Sequence, residues 1–233
     1  MADDDIPATF ASPACFLHEI DPAYMGLPGP LDRQAWADVS RWRKSERERL
    51  IAERLAMSPE LRAAHAEAIV AGVLAEIGDI RGRIVSAYWP FRGEPDLRPL
   101  LQEVAARGGR TALPVVIEKG RPLEFHAWQT GDPLSRGVWN IPVPAERRPC
   151  TPDIVLAPVV GFDAACYRLG YGGGFFDRTL AAMPAKPHVI GVGYSQARLA
   201  TIYPQPHDIA MDLIVTEAGV VRPPPAGYER HAS

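Results

Sequence analysis

An alternation of strand-forming and helix-forming segments is the feature of this sequence that most restricts its fold. Residues 84–89 are rich in β-branched and aromatic side chains and stop at Pro90, whereas residues 95–106 have a helical pattern that stops at a Gly-Gly pair. Residues 111–116 then predict the next strand. Two strands joined through a helix pair in parallel with a right-handed crossover, which is the unit of open α/β sheets. The order predicts an α/β fold.

Further β-rich segments extend this predicted sheet around a short helix at 175–183. They lie at 123–128, 153–159, 188–194, 213–215 and 220–221. The segment 123–128 predicts a local strand or hairpin, and the segments 153–159 and 188–194 predict further central strands. We therefore expect a three-layer, open, mostly parallel, Rossmann-like sheet.

An N-terminal helical segment precedes the first strand. Residues 36–57 are dense in Arg, Glu, Leu and Ala and predict a charged amphipathic helix. Ser58 then reads as an N-cap and Pro59 as a first-turn proline of a second helix, which ends at Gly78. We expect one domain over 36–222, preceded by an extension at 1–35 that wraps the domain or is partly ordered, and followed by a tail at 223–233.

Composition restricts the classes of partner. The net charge of −3 offers no general attraction for nucleic acid or an anionic membrane. The three cysteines are odd in number and widely spaced, which argues against a disulfide framework or a zinc site and favours a reducing cytoplasm. The acidic N-terminus and the absence of a long apolar run predict neither export nor a membrane anchor.

A glycine-rich segment between a predicted strand and a predicted helix carries the clearest sign of function. Four glycines fall within residues 170–174, where exposed backbone N–H groups beside a helix N-terminus can surround an anion such as phosphate. Arg168 precedes them and supplies a bidentate donor, and Asp177 follows with a carboxylate suited to magnesium. We interpret the segment as a nucleotide-phosphate site.

The segment departs from the common nucleotide motifs. No Gly-Lys-Ser/Thr follows, so it is not a Walker A loop, and Phe175 stands where G-x-G-x-x-G requires glycine. The alternative is a turn whose glycines serve only close packing of strand against helix.

Residues 168–177, Arg-Leu-Gly-Tyr-Gly-Gly-Gly-Phe-Phe-Asp, resemble the signature of the 5-formyltetrahydrofolate cyclo-ligase family. Other parts of the family pattern are matched in the same order: the basic helix at 43–58, Glu94 after Tyr88-Trp89, Trp139-Asn140-Ile141-Pro142, and His207-Asp208 with Asp212. The similarity covers about residues 41–222.

This resemblance implies an ATP- and magnesium-dependent ligase that converts 5-formyltetrahydrofolate to 5,10-methenyltetrahydrofolate and releases ADP and phosphate. The implied partners are a reduced folate and ATP, and the implied assembly is a monomer or homodimer. The residues implied to bind nucleotide are Arg43, Arg47, Arg168, Gly170, Tyr171, Gly172, Gly173, Gly174 and Phe175. The implied catalytic residues are Arg168, Phe176 and Asp177, the implied magnesium ligands Asp177 and Asp208, and the implied substrate-binding residues Trp89, Glu94, Trp139 and Phe176.

Several of these residues have a plainer interpretation. Arg43 and Arg47 at i, i+4 are also typical of a solvated helix face, and Glu94 before Pro95 is also typical of a helix N-terminus. The two tryptophans fit a core or rim position equally well, and Asp208 fits a solvated loop.

Three positions depart from the family pattern. Arg43 stands where the family usually has Lys, Cys166 where it usually has Gly, and Phe176 where it commonly has Tyr. These departures keep two alternatives open: a paralogue that acts on another N-acyl or pterin-like compound, and a nucleotide- or folate-binding protein without turnover.

Overall fold

A central sheet of eight strands organises residues 33–225, the part of the chain that the computed structural model describes. The helices are α1 (Arg33–Ala56), α2 (Pro59–Ile77), α3 (Arg98–Ala106) and α4 (Phe175–Ala182). The first six strands are β1 (Ile84–Ser86), β2 (Arg110–Val115), β3 (Glu124–Ala127), β4 (Leu134–Arg136), β5 (Pro142–Pro144) and β6 (Pro149–Cys150). The remaining strands are β7 (Ile154–Pro158), β8 (Gly161–Phe162), β9 (Arg168–Leu169), β10 (His188–Val192), β11 (Leu213–Thr216) and β12 (Gly219–Val221).

The central sheet has the spatial order β12-β11-β10-β7-β1-β2-β3-β6. Strands β11, β10, β7, β1 and β2 are parallel neighbours, and β12, β3 and β6 are antiparallel additions at the two edges. In chain order the parallel strands run 2-1-3-4-5, so the winding direction reverses between β1 and β7. Open α/β sheets bind ligands at the carboxyl ends of the strands where this reversal occurs.

The strands alternate their side chains between two hydrophobic clusters. Along β7, Ile154 and Leu156 join the cluster under α2 and α3, whereas Val155 and Ala157 join the cluster that contains Leu50 of α1 and residues of α4. A sheet buried on both faces between helices is the three-layer α/β arrangement. The predicted fold class is confirmed.

The local signals of the N-terminal helices are also confirmed. The Ser58 hydroxyl accepts the N–H of Leu61 at 3.2 Å, and Gly78 ends α2 with φ 61°. Helix α1 begins at Arg33, three residues before the predicted start, so the predicted extension 1–35 lies outside the described residues except for its last three. None of the helices in this part of the chain is both long and apolar enough to cross a membrane.

The segment after β1 differs from the prediction in a way that matters for the site. The strand predicted over 84–89 ends at Ser86, and the helix predicted from Pro95 starts at Arg98. Residues 87–97 therefore leave the sheet as a loop at its carboxyl edge.

Cys166 occupies the turn between β8 and β9 with a left-handed backbone, φ 62°, and no exposed surface. A side chain in this conformation costs about 1–2 kcal/mol relative to glycine, and the glycine that the family resemblance leads us to expect here would avoid this cost. Burial raises the pKa of the Cys166 thiol to about 11. The thiol is therefore neutral at physiological pH and acts as a small buried side chain.

We expect Cys166→Gly to be more stable than Cys166→Ala by about 1 kcal/mol, because both variants lose the sulfur but only glycine relieves the left-handed backbone. Urea unfolding of the two variants measures the difference. Cys150, which has no such conformation, is the matched control: there the Gly variant should be the less stable of the two. Equal stability of the two Cys166 variants would contradict the strain argument.

Candidate active site

Helix α1 turns three arginines toward the carboxyl edge of the sheet. Arg43, Arg47, Leu50 and Arg54 follow the 4-3-4 spacing of one helix face, and the three arginines are only 5%, 6% and 4% exposed. The interpretation of Arg43 and Arg47 as a solvated helix face is therefore wrong. We call Arg43, Arg47 and Arg54 the arginine stripe.

Each member of the arginine stripe donates its Nε–H to a backbone carbonyl of a different loop. The acceptors are Ile202 O at 2.9 Å from Arg43, Gly170 O at 2.6 Å from Arg47, and Arg92 O at 2.9 Å from Arg54. The stripe thus joins three loops that meet beside the β1–β7 reversal. Arg54 was missed at the sequence level, although its spacing from Arg47 places it on the same face.

Arg168 lies in β9, immediately before the glycine-rich loop. It is 8% exposed, and its Nη2 donates to Asp177 Oδ2 at 2.8 Å. Its buried Nε has no acceptor among the described residues. A Cβ at Gly170 would lie 2.7 Å from Arg168 Nη1, so a side chain there would displace the guanidinium from its place beside the loop. An unused buried N–H of this kind suits an anionic ligand.

The far end of the glycine-rich loop leads into α4. Gly174 precedes the helix with φ 60°, and Gly172 also has a positive φ of 93°. The Arg178 guanidinium packs on Gly174 and donates to the Gly173 carbonyl, and its buried Nε lacks an acceptor in the described structure. Arg178 was not singled out from the sequence. Two guanidinium groups and a helix N-terminus therefore surround this loop, which favours negative charge.

The two predicted magnesium ligands lie next to each other. Asp177 Oδ1 accepts the N–H of Ile209 at 3.3 Å, which brings it against the peptide after Asp208. Each carboxylate also has a cationic partner, Arg168 for Asp177 and Arg43 for Asp208. No cluster of three metal-binding side chains occurs within residues 33–225. Two carboxylates fit magnesium when phosphate oxygens and water complete its shell.

Glu94 is 7% exposed and accepts a hydrogen bond at each of its carboxyl oxygens. Its Oε2 accepts the N–H of Phe91 at 2.9 Å and its Oε1 accepts the Tyr171 hydroxyl at 2.8 Å. Arg54 Nη2 donates to the same hydroxyl at 2.6 Å. Because α3 starts only at Arg98 and has no side-chain cap, the helix-capping interpretation of Glu94 is wrong.

Burial controls the protonation of this carboxyl group. Desolvation raises the pKa of Glu94 to about 7, while the charge of Arg54 and the hydrogen bonds from Tyr171 and the Phe91 amide act in the opposite direction. Perturbed carboxyl groups in a cleft are typical of functional sites.

Aromatic rings flank Glu94. Trp139 stacks on Phe91 at 6.4 Å and meets Phe175 edge-on at 6.2 Å, and Phe91 lies 5.8 Å from the Tyr171 ring. Trp139 has φ 56° and is 38% exposed, so its ring forms the rim of the site. Phe91 was missed because it lies in the aperiodic loop 87–97.

Trp89 and Phe176 have other neighbours. Trp89 packs edge-on against Trp128 at 5.8 Å, with the Arg98 guanidinium 5.6 Å from its ring, so its predicted role in substrate binding stays a prediction. Phe176 lies under Arg168, 5.0 Å from the guanidinium carbon to the ring centroid. The structure therefore brings Phe176 to the predicted phosphate site.

The model of the 5-formyltetrahydrofolate cyclo-ligase family matches residues 39–217, which include every element of this site. The chain belongs to this family. The family prediction made from the glycine-rich signature is confirmed. A 5-formyltetrahydrofolate cyclo-ligase of Mycolicibacterium smegmatis is 34% identical over 152 residues, 61% of this chain and 78% of that protein. The one from Escherichia coli is 29% identical over 149 residues, 60% and 81% of the two chains.

Solved structures of the family have the same fold. The 5,10-methenyltetrahydrofolate synthetase of Aquifex aeolicus superposes with a TM-score of 0.66 at 27% identity, over 82% of this chain and 99% of that one. A synthetase from Mycoplasma pneumoniae superposes with a TM-score of 0.63 at 22% identity, over 75% and 98%. The described α/β domain is therefore the family's domain.

We expect the buried carboxyl group of Glu94 to make stability depend on pH. A folded-state pKa of about 7, above that of the unfolded chain, destabilises the fold as pH rises from about 4.5 to 7. Between pH 5 and pH 8 the wild type should lose about 2–3 kcal/mol more unfolding free energy than Glu94→Gln. Urea unfolding at both pH values measures this, with Glu103→Gln on the exposed face of α3 as the control. Parallel pH dependence of wild type and Glu94→Gln would refute it.

Proposed function

We propose that this protein is a ligase that converts 5-formyltetrahydrofolate to 5,10-methenyltetrahydrofolate, using ATP and magnesium and releasing ADP and phosphate. The observation that carries this proposal is the hydrogen bond from Tyr171 to Glu94. This bond brings together, in one site, a glycine-rich loop suited to phosphates and a carboxyl group suited to the N–H edge of a pterin. The names of the related proteins, cyclo-ligase and synthetase, support the same reaction.

The reaction requires activation of a weak electrophile, because the nitrogen lone pair of an N-formyl group reduces the carbonyl character of its carbon. In the proposed mechanism the formyl oxygen attacks the γ-phosphorus and the bond from that phosphorus to ADP breaks. The nitrogen at position 10 of the folate then attacks the formyl carbon and loses its proton, and the carbon–oxygen bond breaks to release phosphate. No protein nucleophile is needed, so catalysis consists of positioning and charge neutralisation.

The loop residues would hold the triphosphate. Arg168 and Arg178 contribute the unused N–H groups described above, and the first turn of α4 contributes its free amides. Asp177 and Asp208 would hold magnesium, which when bound neutralises charge on the phosphates. Arg43 is bonded to two carbonyls and to Asp208, so in this proposal it chiefly orients that carboxylate.

The rest of the site would hold the folate. Ionised Glu94 accepts hydrogen bonds from two neighbouring N–H groups, as the pterin edge requires. The rings of Phe91 and Trp139 beside it offer flat apolar surface for the pterin or its linker. The net charge of −3 and the free thiols of Cys150 and Cys166 support a cytoplasmic setting without a nucleic-acid partner.

The direct test follows the near-ultraviolet absorbance of the methenyl product with purified protein. The band should grow only when 5-formyltetrahydrofolate, ATP and magnesium are all present. Absence of the band in protein that binds ATP by calorimetry would overturn this function and favour the paralogue with another N-acyl or pterin-like substrate. Phe176 is the residue that favours this second candidate, and Phe176→Tyr should then restore turnover of 5-formyltetrahydrofolate.

We expect Asp177→Asn to lower kcat/KM by about 100-fold or more, because the amide loses the charge that attracts magnesium and orients Arg168. Steady-state kinetics at several magnesium concentrations measures the loss. Asp79→Asn removes an exposed carboxylate paired with Arg81 and is the matched control, with unchanged kinetics expected. Wild-type kinetics in Asp177→Asn would contradict the assignment of Asp177.

A further inference from the structure

Glu94 belongs to a three-membered hydrogen-bond chain that spans the site. Arg54 of α1 donates to the Tyr171 hydroxyl at 2.6 Å, and that hydroxyl donates to Glu94 at 2.8 Å. A single hydroxyl can accept one bond and donate the other, and each bond polarises the next. Burial raises the pKa of Tyr171, so the hydroxyl keeps its proton and remains the donor.

We propose that Arg54 and Tyr171 are positioning residues that keep Glu94 ionised in its buried pocket and thereby set the pH range in which it binds the reduced folate. This inference rests on the proposed function, because folate binding by Glu94 is part of that function. Neither residue needs to touch the reacting atoms. Both would act through the carboxyl group that they hold.

The other groups that face Glu94 cannot replace Arg54 as a source of positive charge. Tyr88 donates to the Pro95 carbonyl at 3.3 Å, and Tyr194 donates to the Gly93 carbonyl at 3.1 Å. Both hydroxyls bond backbone and stay neutral, since burial raises the pKa of Tyr194 to about 12 and holds the pKa of Tyr88 well above its usual value. Arg92 is exposed and lies over the Phe91 ring. Within the described structure, Arg54 is therefore the buried cation that favours the carboxylate.

Ionisation matters because the two forms of Glu94 offer different bonds. The carboxylate accepts from two N–H donors, whereas the neutral acid presents a hydroxyl that conflicts with one of them. The Phe91 amide donates to one oxygen of this carboxyl group and the Tyr171 hydroxyl donates to the other, so a proton on either oxygen conflicts with one of these donors. Removing the Tyr171 hydroxyl removes a hydrogen bond that stabilises the carboxylate, so a higher pH is then needed to ionise Glu94.

The first experiment measures Glu94 itself in protein without ligand. Infrared difference spectra between wild type and Glu94→Gln isolate the Glu94 carboxyl band, and its pH titration gives the midpoint of ionisation. The same difference is recorded in the Tyr171→Phe and Tyr194→Phe backgrounds. We expect Tyr171→Phe to raise the midpoint by about one pH unit. Tyr194→Phe, which loses a bond to the same loop but not to Glu94, should leave the midpoint unchanged.

The second experiment measures the calorimetric Kd of 5-formyltetrahydrofolate from pH 6 to pH 9. A one-unit rise in the Glu94 midpoint should weaken binding by Tyr171→Phe about fivefold at pH 7 and leave it unchanged at pH 9. A purely structural defect would weaken binding at every pH. Arg54→Gln should behave like Tyr171→Phe, and Arg54→Lys, which keeps the charge, should recover most of the affinity at pH 7.

The outcomes separate this inference from the proposed function. An unchanged ionisation midpoint in Tyr171→Phe overturns the inference whatever the enzyme catalyses. If the ionisation midpoint of Glu94 is raised but the Kd of 5-formyltetrahydrofolate does not depend on pH, the link between Glu94 and folate is overturned. That link is also part of the proposed function. A raised midpoint with the pH-restricted loss of affinity supports both.

Discussion

The site depends on buried guanidinium groups that donate hydrogen bonds to backbone carbonyls of the surrounding loops. Taking a charged group out of water costs several kcal/mol unless hydrogen bonds replace its hydration. The arginine stripe meets this condition with the carbonyls of Ile202, Gly170 and Arg92, which belong to loops outside the sheet ladder. Arg92 itself has φ 47°, a conformation that is costly without such support. The same bonds therefore compensate buried charge, strained backbone and unpaired carbonyls.

This arrangement explains why α1 is so rich in charge. On its outer face, Arg49 pairs with Glu46 and Glu53 in exposed bridges, which contribute little to stability. On its inner face the charges are fixed by hydrogen bonds and neutralised by Asp208 or directed at Tyr171. In the proposed function, positive charge that is already oriented needs no reorganisation when a triphosphate binds. The inner face of α1 therefore belongs to the candidate site, whereas the outer face is solvated.

Sequence patterns gave the architecture more completely than the site. The alternation of strand-forming and helix-forming segments predicted three layers and parallel strands, because the periodicity of apolar residues indicates which faces of a strand or helix are buried. It did not predict the 2-1-3-4-5 spatial order of the parallel strands. The 168–177 signature located the glycine-rich loop that we propose to hold phosphate. Tyr171 was assigned to that loop alone, because a hydrogen bond to a residue 77 positions away leaves no local trace. Arg54 could have been found from its spacing to Arg47, but many other charged residues surround it in the sequence. No sequence pattern indicated Phe91.

The three departures from the family pattern have different physical consequences. Arg43 uses its planar fork to reach Ile202 O, Tyr203 O and Asp208 together, which a compact ammonium could not do from one point, so this substitution adds bonds. Cys166 keeps the left-handed turn at a cost in stability and lies in the core. Phe176 differs from both, because its ring lies against the guanidinium of Arg168 beside the loop that we propose to hold phosphate. Of the three departures, Phe176 is therefore the one that we expect to affect the chemistry, whereas Arg43 and Cys166 affect how firmly the site is held.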